Sequence, residues 1–173
     1  MRQLYLLRHA KSSWEDANVE DFDRPLNGRG RRNAAALAQH LGRSGFRPAV
    51  ILCSAARRTA ETLELLRPAV EGVPASIEPG LFAAGRAELI ARLRRLDDNL
   101  GSALLVAHNP GVERLAEALC AGRGDHKALA RLGRKFPTGA LAVLETGITR
   151  WAELDDGTCR LVSFIRPADL DGE

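Results

Sequence analysis

Leu4-Tyr5-Leu6-Leu7-Arg8-His9-Ala10-Lys11-Ser12 is the stretch from which the rest of the chain can be read. Its apolar run, unbroken by polar alternation, is the pattern of a central strand buried on both faces. The run stops abruptly at an arginine and a histidine. Open α/β sheets bind ligands just beyond the carboxyl ends of their parallel strands, which puts Arg8 and His9 at the mouth of a crevice. A neutral imidazole is a nucleophile and a guanidinium is a fixed fork for oxyanions, so the pair suits chemistry on an anion.

Two further stretches repeat the pattern. Ala49 to Cys53 is an apolar run ending in Ser54-Ala55-Ala56-Arg57-Arg58-Thr59, and Ala103 to Ala107 is another, ending in His108-Asn109-Pro110-Gly111. Helical spacing follows each, from Arg57 to Leu66 with Leu63 and Leu66 inward, and from about Val112 to Leu119. If the three strands are parallel neighbours, Arg8, His9, Arg57 and His108 converge. At least one of Arg57 and Arg58 is then a solvated helix residue, and Arg57, which opens the helix, is assigned to the rim, where the helix N-terminus favours an anion. Arg8 and Arg57 would hold the non-bridging oxygens of a phosphoryl group, and His108 would donate a further hydrogen bond. His9 would attack phosphorus, kept neutral by the surrounding positive charge. The product would be a phosphohistidine enzyme that water hydrolyses. The arginines supply the charge that magnesium would otherwise bring, so no metal and no cofactor is expected.

Between these strands, Ser12 to Arg24 reads as a long polar loop carrying Trp14 and the carboxylates Glu15, Asp16, Glu20, Asp21 and Asp23. Asn27 is a candidate N-cap for a helix running to about Arg43. Gly28 and Gly30 are poor helix formers, so either the helix starts later or the backbone there needs close approach. Ser76 to Glu78 is a short strand and Glu88 to Leu96 a helix; Gly122 to Gly133 is a loop with a short helix, with His126 on the surface. His40 reads as a helix-terminus residue. Ala140 to Glu145 and Arg160 to Ile165 form an antiparallel pair at the sheet edge, and 167–173 is a frayed tail.

Composition bounds the class. At 173 residues, with 45% hydrophobic and 27% charged residues, the chain fits one soluble domain. No apolar run is long enough to span a bilayer, and the short N-terminal run leads into Arg8-His9 with no cleavage-type site. Cys53, Cys120 and Cys159 are odd in number and lack a CxxC pair, which argues against disulfides or zinc and for buried thiols in a reducing cytoplasm. The net charge of +3 is mild, but nearly all basic residues are arginine, which suits a phosphate- or carboxylate-bearing substrate. With 5% aromatics and no dense basic run, a nucleic-acid reader is not expected.

Taken together, Leu7-Arg8-His9-Ala10-Lys11, Asp23-Arg24-Pro25-Leu26 with Gly30, Ser54 to Thr59 with Thr62, Val106 to Gly111, and Phe136-Pro137-Thr138-Gly139 resemble, in order, the motifs of the histidine phosphatase (phosphoglycerate mutase-like) superfamily, in particular its short SixA-type phosphohistidine phosphatases. The resemblance implies an α/β fold, a single-domain three-layer α/β/α sandwich with a mostly parallel central sheet and an antiparallel edge. It implies His9 as nucleophile and Arg8, Arg57 and His108 as phosphate pocket, with Ser12 and Asn109 as further candidate phosphate or substrate contacts. Two departures stand out. Ala10 occupies a position where the superfamily usually has glycine, and no carboxylate lies between Glu78 and Glu88, where larger relatives place a glutamate that serves as general acid. Such an acid is worth on the order of 10²–10⁴ in rate when the leaving group is a poor one. A phosphoramidate, whose nitrogen departs as neutral imidazole, loses least without it.

Three functions follow for testing. The first is metal-independent hydrolysis of phosphohistidine on a protein. The second is a phosphatase of small phosphomonoesters, with Glu15, Asp16 or Asp21 reaching in as the acid. The third is a phosphate- or phosphoprotein-binding module without turnover. The expected partner is a phosphorylated protein or small phosphorylated substrate, with no membrane or nucleic acid.

Overall fold

In the computed structural model, which describes residues 1–171, a six-stranded sheet runs in the order β3-β2-β4-β1-β5-β6. β1 (Arg2–Arg8), β2 (Val50–Ser54), β3 (Ala75–Glu78) and β4 (Ser102–Ala107) are mutually parallel; β5 (Leu141–Thr146) and β6 (Cys159–Ile165) are antiparallel additions on the β1 side. This is the expected three-layer sandwich with its antiparallel edge.

The continuous apolar runs have the predicted cause. Leu4 and Leu6 enter a cluster with Leu105, Leu89 and Leu115, beneath α3 (Arg86–Leu93) and α4 (Gly111–Cys120). Tyr5 and Leu7 enter the opposite cluster with Leu37, Leu41, Leu63 and Leu66, beneath α1 (Gly28–Arg43) and α2 (Arg57–Leu66). Both faces of β1 are therefore dry from Leu4 to Leu7, and the strand regains access to solvent at Arg8, its C-terminal end.

The alternative left open at α1 resolves to close approach. Asn27 caps the helix, its Oδ1 accepting the Gly30 N–H at 2.8 Å, and the helix begins at Gly28. A Cβ on Gly30 would stand 2.1 Å from the Lys11 carbonyl oxygen, so the first turn lies directly against the backbone that follows His9. Gly111 does the same at α4, where a Cβ would meet the Ala84 carbonyl at 2.5 Å.

One sequence reading is borne out and one needs correction. The 122–133 segment carries a nine-residue helix, α5 (His126–Arg134), capped by Asp125, whose Oδ1 accepts the Ala128 N–H, and held down by Ala128 and Leu132. His126 is on the surface, as expected. The tail is docked as far as Leu170: Pro167–Asp169 form one 3-10 turn, Arg166 and Asp169 pair at 2.7 Å, and Leu170 is buried. The last two residues of the expected frayed tail lie outside the described residues. All three cysteines are free and buried; burial pushes the Cys53 and Cys120 thiols up to about 12. Among the described residues, no helix is long and apolar enough to cross a membrane.

Candidate active site

Parallel pairing of β1 with β4, and of β4 with β2, brings Arg8 beside Ala107 and sets the three strand ends around one cleft of about 490 Å³. Arg8, His9, Ser12, His108 and Asn109 line it, as expected. Arg57 does not. Its side chain is 55% exposed and pairs with Glu61 at 3.2 Å on the outer face of α2. The inner position belongs to Arg58, which lines the cleft and is 5% exposed. The helical period supplies the reason: Arg58, Thr62 and Leu66 lie four residues apart on the stripe facing the sheet, whereas Arg57 and Glu61 share the neighbouring stripe. That period was legible in the sequence.

His9 is held in one tautomer. Its Nδ1 lies 2.7 Å from the carbonyl oxygen of Ala10, an acceptor only, so Nδ1 carries the proton and Nε2 keeps a free lone pair. Burial lowers its pKa to about 3, with the Ala10 carbonyl opposing and His108, Arg58 and Arg8 adding to the fall. The ring is neutral at pH 7. Ala10 itself adopts no positive φ and packs with Leu26 and Ala34, so a methyl group at this position brings no backbone strain. Its N–H donates to Thr62 Oγ1 at 3.0 Å, tying the nucleophile's loop to the inner face of α2.

His108 packs with its ring centroid 5.2 Å from that of His9, and its Nε2 lies 2.8 Å from Ser54 Oγ. Its Nδ1 is buried without a protein partner. Burial and then the Arg58 charge bring its pKa to about 4. Phe82 stands against it, edge to face at 5.5 Å, and contacts Phe22 from the 12–24 loop at 5.0 Å.

The loop contributes more than its carboxylates suggested. Arg24 is buried, donating to Asp21 at 2.8 Å and to Ser12 Oγ at 2.6 Å, with its guanidinium 3.5 Å from the Trp14 ring centroid. Asp21 also accepts from Arg58, through its carbonyl at 2.5 Å and its carboxylate at 3.3 Å. Slight burial raises the Asp21 pKa, but the Arg24 hydrogen bond and the charges of Arg58 and Arg24 outweigh it, so the net shift is downward. Asp21 is the single carboxylate among the residues lining the cleft, against the cations Arg8, Lys11, Arg24, Arg58 and Lys135. Glu15 and Asp16 are exposed and do not line it. Of the new members, Arg24 and Thr138 lay within motifs already recognised, while Lys135 carried no signal of its own. Among the described residues, no cluster of side chains suits a metal ion.

Residues 4–88 match the model of the histidine phosphatase superfamily, branch 1. The proposed phosphohistidine phosphatase SixA of Agrobacterium tumefaciens is 30% identical, with a TM-score of 0.82 over 96% of this chain and 98% of that one. The chain belongs to the histidine phosphatase superfamily and is of the SixA type. A second proposed phosphohistidine phosphatase SixA, from Nakamurella multipartitia, is 31% identical, with a TM-score of 0.80 over 96% of each chain. The uncharacterized protein Rv1276c of Mycobacterium tuberculosis is 37% identical over 166 residues, 93% of this chain and 99% of its own. Membership in this superfamily makes the protein a phosphatase.

Proposed function

We propose that this phosphatase hydrolyses phosphohistidine on a protein, through a covalent phospho-His9 intermediate. The observation that carries the reading is the proton inventory of His9, with Nδ1–H committed to the Ala10 carbonyl at 2.7 Å and Nε2 left as the nucleophile. In the first step Nε2 forms a bond to phosphorus as the substrate's P–N bond breaks. A substrate imidazole already protonated on its other ring nitrogen departs as a neutral ring, so the enzyme supplies no proton. In the second step water adds to phosphorus, the P–Nε2 bond breaks, and both water protons leave on inorganic phosphate. His9 departs neutral because Nδ1 already holds its proton, and the Ala10 carbonyl supports the imidazolium character of the intermediate. Arg8, Arg58 and the unpartnered Nδ1 of His108 are the donors for the phosphoryl oxygens. No metal enters the scheme, since the arginines carry the compensating charge.

A phosphomonoester makes a different demand, because an alkoxide leaving group needs an acid. The one carboxylate in the cleft, Asp21, is held ionised by two arginines, and Phe82 is the side chain packed against His108. Both features favour the phosphoramidate. The three buried free thiols fit a cytoplasmic enzyme.

The test is metal-free phosphate release from a phosphohistidine-bearing protein and from a panel of sugar and nucleotide monophosphates, together with acid-free trapping of labelled enzyme. The expected result is release from phosphohistidine, label on His9, and loss of both in His9→Ala. Preference for a monoester would overturn the substrate assignment. Phosphate-dependent binding that survives His9→Ala, with no turnover of any substrate, would make the protein a binding module.

A further inference from the structure

Beside the phosphate cleft, and sharing Lys11, Lys135, Pro137 and Thr138 with it, lies a second hollow of about 320 Å³. Its wall adds Arg29 from the first turn of α1, Arg131 and Arg134 from α5, and Arg166 from the end of β6. No carboxylate lines it. Arg166 is engaged by Asp169 at 2.7 Å, and Arg131 lies 3.8 Å from the same carboxylate. Lys11, Arg29, Arg134 and Lys135 have no ion-pair partner among the described residues, and all four are exposed. Four unopposed cations drawn from three segments into one concavity repel one another, and an anionic occupant would relieve that repulsion.

Trp14 indicates what kind of anion. It lines the phosphate cleft but not the second hollow, and it is 76% exposed, with its ring on Arg24. An exposed tryptophan beside an anion site is the type of anchor that a protein surface covers. Apolar contact by Trp14 together with cations in the adjoining hollow suits a polypeptide rather than a small polyanion. We propose that Lys11, Arg29, Arg134 and Lys135 bind aspartate or glutamate side chains flanking the phosphohistidine of the substrate protein. This rests on the phosphohistidine reading given above, and a binding assay separates the two.

The experiment uses the full chain and peptides carrying a non-hydrolysable phosphohistidine analogue, flanked by glutamates or by glutamines, with affinity measured by calorimetry. Arg29→Ala/Arg134→Ala is the variant, since both residues are exposed and line only the second hollow. The expected result is about five- to tenfold tighter binding of the glutamate-flanked peptide by the parent, falling toward equality in the variant and in high salt. Hydrolysis of free phosphohistidine should be the same in parent and variant. Equal affinity of the parent for the two peptides overturns the proposal. So does an Arg29- and Arg134-dependent preference for a sugar bisphosphate over both peptides. Charge-dependent peptide binding without turnover of any phosphohistidine substrate supports the hollow and overturns the catalytic reading instead.

Discussion

Arg8 and Asn109 donate to the same acceptor, the carbonyl oxygen of Phe136, at 2.9 and 3.1 Å. The shared carbonyl joins the end of β1, the start of α4 and the 136–139 strap. Asn109 Oδ1 accepts the Glu113 N–H at 3.2 Å, and Gly139 returns its own N–H to the carbonyls of Arg8 and His9 at 3.0 and 2.9 Å. Asn109 therefore positions the Arg8 fork as well as capping its helix. Asn109→Ala is expected to lower kcat by about tenfold, as small misplacements of a clamp do, and to cost roughly 1 kcal/mol of stability for the lost hydrogen bonds. Asn109→Asp keeps the acceptor for Glu113 N–H but loses the donor to Phe136 and sets a carboxylate against that of Glu113, which Asn109 Nδ2 reaches at 3.3 Å, so activity and stability should both fall there too. Steady-state kinetics and urea midpoints on both variants check this; full kcat in either one would reduce Asn109 to a cap.

Arg57 and Arg58 should behave as opposites. Arg58 is buried at the cleft and bonded to Asp21, so Arg58→Ala removes a donor for phosphoryl oxygens and leaves Asp21 short of a partner. The expected loss in kcat/KM is on the order of 10²–10³, the usual cost of one such donor. Arg57→Ala deletes an exposed i,i+4 pair with Glu61, worth about 0.3–0.5 kcal/mol, and should leave turnover within about twofold. Kinetics on the two single variants decide the assignment.

That pair also marks where sequence and structure part. β1, β2 and β4 were legible because burial on both faces writes uninterrupted apolar runs, and the residues at their ends, Arg8, His9 and His108, fell where the rule for parallel strands puts them. The choice between Arg57 and Arg58 depended on helical phase, and the stripe of Arg58, Thr62 and Leu66 held the answer. Other features had no local signature. The acceptor that fixes the His9 tautomer is a backbone carbonyl, present after every residue and aimed correctly only by the turn at Ala10. Lys135 reaches the cleft from a segment 126 positions beyond His9 because β1 pairs with β5. The docked tail depends on the Arg166–Asp169 pair and on burial of Leu170, neither of which stands out from a polar terminus.

Gly30 and Gly28 offer a second pair of opposites. A methyl group at Gly30 would meet the Lys11 backbone, which cannot move without moving His9's loop; at Gly28 it would meet only the flexible end of Arg32 at 3.3 Å. Gly30→Ala is therefore expected to destabilise by about 1–3 kcal/mol, as overpacking does, and to depress activity further than the stability loss explains. Gly28→Ala should be neutral or stabilising by up to about 1 kcal/mol, from the gain in helix propensity. Thermal melts and kcat on both variants test the contact, and equal tolerance at the two positions would refute it.

His9 and His108 should make the fold sensitive to acid. Their pKa values fall from the ordinary 6.5 to about 3 and about 4, with burial the first cause of each. Between those values and 6.5 the unfolded chain binds protons that the folded chain refuses, so stability rises with pH across this window. It is complete above about pH 6.5 and is lost as pH falls. At pH 5.5 the loss should be roughly 1 kcal/mol per histidine. The Arg166-bonded Asp169, whose pKa is about 2, contributes in a separate window below its ordinary 3.8. Urea midpoints in phosphate-free buffer should therefore drop between pH 7.5 and pH 5 in the parent and change much less in His9→Ala/His108→Ala. Over the same range NMR should show the parent's His9 as the Nδ1–H tautomer, with no titration step. A step near pH 6.5 would mean that the ring is solvated, and the neutral nucleophile at acidic pH would be lost with it.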